Sequence, residues 1–223
     1  MLDTIDTKAE QAGGEISPAP SLVKLKGIAV CGSHPQTKMT APFDDQGWLI
    51  YACSPDNSPF GLNPQNCSPL PRVDAFFEIH RPVFDKTRPY KYLRWLKTMP
   101  RVFMRDQWAM QLREPDGSLV FPTAELYPEK EMKARFGPFT FTSSIAFIMA
   151  KAIADIEALR GQGLTVDDEP PQLGLFGILQ ASKPEYEKQR QGTQNMIHNA
   201  TKAGIKVRVA RESFLFEPPP EDF

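Results

Sequence analysis

The chain has 223 residues, with 26 lysines and arginines against 27 aspartates and glutamates and a formal charge of -1. That balance excludes non-specific duplex binding, which draws its free energy from clustered cations against phosphate. No run of about 18 apolar residues offers a membrane span, and the 22 prolines, roughly twice the ~5% background, predict long rigid connections rather than a mostly helical protein.

Residues 1–22 are polar and aperiodic and read as a flexible leader, with no basic region followed by an apolar run to act as a secretory signal. Residues 23–216 read as one α/β domain, and 217–223 as a proline-rich tail. Either tail can hold a protein partner. Cys31, Cys53 and Cys67 have neither zinc-site nor CxxC spacing, so they are expected as reduced thiols in a cytoplasmic protein.

In chain order, short apolar strands are predicted at residues 26–31, 48–53, 73–79 and 101–104, with a helix at 90–97 before the last of these. Residues 105–140 carry a weaker pattern; Asp116-Gly117 between Leu112 and Leu119 predicts an inserted hairpin. The strongest helix covers 144–160, with Thr142, Ser143 and Ser144 as N-cap hydroxyls and Gly161 and Gly163 as stops. A strand at 173–178, a helix at 185–203 and a strand at 205–210 complete the pattern. Apolar strands separated by helical or long irregular segments predict a three-layer, Rossmann-like domain around a mostly parallel sheet.

In such a sheet ligands bind beyond the carboxyl ends of the strands, so each strand end is a test position. The first delivers Gly32, Ser33 and His34, where a close turn exposes amides to phosphate or carboxylate oxygens; a purely structural turn uses the same residues. The second delivers Cys53, Ser54, Pro55, Asp56 and Asn57, whose compact polar side chains suit a base or ribose or simply a turn. The third delivers Glu78, His80 and Arg81: an acceptor, a proton carrier and an anion binder. His80 is the candidate catalytic residue, although Glu78 and Arg81 can also pair at the surface. Thr142, Ser143 and Ser144 stand at a helix amino end, where phosphate is favoured, although capping needs only one of them. Gly177 permits close backbone approach, with Tyr186, Lys188 and Arg190 following. His198, within the last helix, reads as structural. No HExxH, GxSxG, Walker or GxGxxG pattern occurs, so no metal or resident cofactor is indicated.

Residues 28–35 (IAVCGSHP), 48–54, 142–146 (TSSIA) and 175–178 (LFGI) together resemble uncharacterised Rossmann-like proteins of tailed bacteriophages. Their order is similar to bacterial sialyltransferases that use CMP-sialic acid. The resemblance implies phosphate or ribose contacts at Gly32 and Ser33, nucleotide contacts at Cys53 and Ser54, and a cleft lined by Thr142, Ser143 and Ser144 above Gly177. This sequence departs from that pattern at His34 for proline, Ser54 for asparagine, Ser144 for glycine and Leu179 for an acidic residue.

Three functions follow as expectations. The first is a nucleotide or nucleotide-sugar binding protein of glycosyltransferase-like character, with His80 taking the acceptor's proton and Arg81 or Arg190 neutralising a leaving phosphate. The second is a non-enzymatic phage accessory or host-interaction protein on the same scaffold. The third is an NAD-related enzyme, which would have to work without the glycine-rich fingerprint.

Overall fold

The computed structural model describes residues 24–60, 68–80, 90–105, 107–179, 184–210, 213 and 215. The leader at 1–22, the tail at 217–223, Cys67 and Arg81 lie outside the described residues. Among the described residues seven strands, β1 (Gly27–Cys31), β2 (Trp48–Cys53), β3 (Ala75–Glu78), β4 (Val102–Met104), β5 (Ala124–Leu126), β6 (Gln172–Phe176) and β7 (Lys206–Val209), form one sheet. Its order is β5-β4-β3-β2-β1-β6-β7, and every pairing is parallel.

Two-residue alternation divides each strand between two cores. Ile28, Val30, Tyr51, Cys53, Phe77, Phe103, Leu173 and Leu175 face one side, packed by α5 (Ser144–Gly161) and α6 (Pro184–Lys202). Ala29, Cys31, Ile50, Ala52, Phe76, Val102 and Met104 face the other, covered by α2 (Tyr90–Leu96) and α3 (Gln107–Gln111). The three expected layers are therefore present. Ile28, Val30 and Ile50 are wholly buried, each stabilising the fold by about 1.5–3 kcal/mol relative to exposure.

α5 forms where the sequence is richest in helix signals. Ser143 Oγ accepts the Ala146 amide at 3.3 Å, and Gly163, at φ +70, lies just past the end. Ala146, Ala150 and Ala152 are fully buried, which lets the helix lie close over β1 and β2.

Three features depart from the predicted pattern. β3 starts at Ala75 rather than 73 because the Asp74 side chain accepts the Ile50 amide at 2.7 Å, replacing a ladder bond. The hairpin at Asp116-Gly117 is a tight turn with a single antiparallel bridge, Arg113 to Leu119. Beyond it lie β5 and α4 (Glu129–Phe136), neither of which was predicted. β5 is a three-residue edge strand with two exposed residues, and α4 buries only Met132, so neither carries an apolar periodicity. A short helix, α1 (Pro35–Lys38), follows β1.

The chain steps from β1 outward to β5, then returns through α5 to place β6 on the other side of β1. The topological switch point therefore lies between β1 and β6.

Candidate functional site

At the switch point the backbones close on one another. The Gly32 amide donates to the Phe176 carbonyl at 2.8 Å, and the His34 amide to that of Gly177 at 2.9 Å. A Cβ on Gly32 would stand 2.4 Å from the Gly177 oxygen. Gly177 itself has φ +66, and its amide donates to Thr37 Oγ1 at 3.1 Å. Both glycines thus allow β1, β6 and α1 to approach. Ser33 is half-buried, and His34 places Nδ1 3.4 Å from Thr37 Oγ1.

Beneath the neighbouring exit of β2 lies a buried polar clamp. Lys38, wholly buried, donates to the Asp56 carbonyl (3.1 Å), Asn57 Oδ1 (3.1 Å) and the Ser68 carbonyl (3.0 Å). Asn57 Nδ2 donates in turn to the carbonyls of Cys31 (3.4 Å), Gly32 (3.2 Å) and Cys53. One side-chain amide thereby ties the β1 exit to the β2 exit.

That fixed edge carries a cavity of about 240 Å³ lined by Cys53, Ser54, Asp56, Phe77, Glu78, His80 and Ser144, with Pro55 closing one side. Four expected residues, Cys53, Ser54, His80 and Ser144, meet here from the ends of β2 and β3 and the start of α5. Ser54 stands at φ 76, ψ 130, a conformation costing a non-glycine residue on the order of 1–3 kcal/mol. Its hydroxyl accepts the Asp56 amide at 3.3 Å.

The three hydroxyls before α5 have separate tasks. Ser143 caps the helix, exposed Thr142 reaches the Gln189 carbonyl at 3.5 Å, and Ser144 faces the cavity. The positive end of an 18-residue helix therefore opens on this space.

Two carboxylates and one imidazole, but neither lysine nor arginine, stand among the described lining residues. Glu78 is 3% exposed; its Oε1 accepts the His80 amide at 3.2 Å and its Oε2 the Tyr92 hydroxyl. Burial, with Glu78 beside it, pushes the Cys53 thiol up to about 12, so the thiol is a protonated wall residue and not a nucleophile.

Arg190, on α6, is buried and does not line the cavity. Lys38 gained no site role from its sequence position. Glu78, an acceptor at the end of an apolar run, and Asn57, in the polar turn after β2, are both expected at the site. Asn57 ties the strand exits together rather than lining the cavity. Among the described residues no group of three or more His, Cys, Asp or Glu is placed to hold a metal, and no helix is long and apolar enough to cross a membrane.

Comparison with protein-family models, curated proteins and solved structures finds no match to this chain. The Rossmann-like parallel sheet is one generally associated with nucleotide binding.

Proposed function

We propose that the chain binds a nucleotide or nucleotide sugar at the carboxyl edge of its sheet. The observation that carries this reading is the meeting of Ser54, His80 and Ser144, from three separate elements, on one cavity at the carboxyl ends of β2 and β3, one strand from the switch point. A volume of about 240 Å³ is below the ~300–1,000 Å³ of whole small-ligand pockets. It suits one ring of the ligand, with the remainder lying along the edge toward Ser33.

The polarity of the cavity divides the ligand. Carboxylates at Asp56 and Glu78 favour groups that donate hydrogen bonds, such as a base amino group or sugar hydroxyls. The amino end of α5 and the Ser144 hydroxyl favour the first phosphate. If a sugar is transferred, the bond from its anomeric carbon to the donor phosphate oxygen breaks and a bond to the acceptor oxygen forms. The acceptor's hydroxyl proton then passes to His80 on the rim. The relation to bacteriophage proteins and sialyltransferases is part of this proposal and rests on the sequence resemblance.

Calorimetric titration with CMP, UMP, AMP and NAD tests the reading. Binding of at least one mononucleotide tighter than roughly millimolar, about -4 kcal/mol, is the expected result. Failure of all four to reach that affinity would remove the nucleotide reading and leave partner binding in its place.

A further inference from the structure

A second, larger hollow opens on the same edge of the sheet, at the ends of β4 and β5 and the start of α4. This open groove of about 630 Å³ is lined by Arg105, Gln107, Leu126, Pro128, Glu129 and Lys130, with Tyr127, Glu131 and Ala134 completing it. Its size falls within the range for a whole small ligand. It adjoins the first cavity through one layer of aromatic rings. Phe77 lines the cavity and Tyr127 the groove, and their ring centroids are 6.5 Å apart. Arg105 lies over the Phe147 ring at 4.8 Å, one helical turn along α5 from Ser144.

Electrostatics restrict what the groove can take. Arg105 holds Glu129 through two bonds of 2.7 Å, and Lys133 holds the same carboxylate at 2.5 Å. The Arg105 hydrogen bond, with Lys133 adding to it, keeps Glu129 below its usual carboxylate range, so it is ionised and already paired. Lys130 and Glu131 are exposed and of opposite sign. The lining is electrically balanced, which disfavours a phosphate or a polyanion. Leu126, 47% exposed, with Pro128 and Ala134, provides an aliphatic floor. Gln107 and the planar Arg105–Glu129 pair supply donors and acceptors at its side.

We infer that this groove is a second-substrate site for a neutral pyranose, with the sugar's C–H face on Leu126 and Pro128 and its hydroxyls toward Gln107, Arg105 and Glu129. Its role as the acceptor site rests on the reading of the neighbouring cavity as the nucleotide-sugar site; sugar binding in the groove does not.

The test is amide NMR of the full chain titrated separately with D-glucose, D-galactose, N-acetyl-D-glucosamine, inorganic phosphate and CMP. At least one sugar is expected to shift the amides of residues 126–134 saturably in the millimolar range, and phosphate to leave them unmoved. Ala134→Trp, a substitution at an exposed helical position that fills the groove, is expected to weaken that sugar at least tenfold. Three sugars without saturable shifts in this segment, phosphate shifting it in their place, or unchanged affinity in Ala134→Trp would each overturn the inference. The CMP titration reports separately on Ser54 and Ser144. Sugar shifts without CMP shifts would sustain the groove and count against the nucleotide reading; the reverse pattern would sink the groove alone.

Discussion

The Tyr92 hydroxyl donates to Oε2 of Glu78 in the floor of the cavity. Tyr92 belongs to α2 and Glu78 ends β3, so this bond fastens a helix of one face to the polar edge of the sheet. Both side chains are buried, and removing one partner of a buried hydrogen bond costs roughly 1–3 kcal/mol. Tyr92→Phe is expected to lower stability by about that amount, read as a shift of the urea midpoint at constant slope. An unchanged midpoint would show that Glu78 is held by its other contacts.

Ser54 holds a backbone conformation that glycine adopts at lower cost. Ser54→Gly removes that strain and, with it, the hydroxyl that accepts the Asp56 amide. Thermal unfolding is expected to show stability retained or raised by up to about 1 kcal/mol, while nucleotide affinity falls. Loss of stability together with unchanged affinity would mean that the strained turn is structural.

Alkaline stability follows from the buried thiols. Burial pushes Cys53 up to about 12 from an ordinary 9.0, Glu78 adding to the effect. Burial likewise raises Cys31, reinforced by Cys53 and opposed by Lys38. Between pH 9 and 12 the unfolded chain has released the Cys53 proton and the native chain has not, so stability is full below 9 and falls as pH rises. Cys53→Ala is expected to be less stable at pH 8, yet its stability should decline less steeply above pH 9, by up to about 1.4 kcal/mol per pH unit. Urea midpoints at pH 8 to 11 measure both slopes, and parallel slopes would contradict the assignment.

His80 stands on the rim of the cavity with an exposed side chain, so its replacement leaves the core intact. In a sugar transfer, His80→Ala is expected to lower turnover by about 10²- to 10⁴-fold with little change in donor affinity. Equal losses in both quantities would make His80 a binding residue.

The sequence carried the layered fold because burial writes a period. The apolar runs at β1, β2, β3 and β6 and the capped stretch at α5 each announce their element. β5 and α4 were illegible because an exposed edge strand and a helix burying only Met132 have no apolar stripe to read. Site legibility followed the same physics. Ser54, His80 and Ser144 stand just beyond strong elements, so a parallel sheet places them on one edge. Lys38 and Asn57 work by reaching across that edge to carbonyls 18 to 30 positions distant in sequence, a relation that no local pattern records. Arg81 remains an expectation from sequence, and Arg190 is placed on α6 rather than in the cavity lining.

The most direct test of the nucleotide site is hydrogen exchange at the start of α5. The amides of Ser144 and Ile145 have no intrahelical acceptor, so they are expected to exchange faster than the rest of α5 in the free protein. With whichever mononucleotide binds in the calorimeter at saturation, peptides covering residues 53–58 and 141–147 are predicted to gain protection together. Saturating nucleotide that leaves both segments exchanging at their free rates would place the ligand elsewhere and contradict the account.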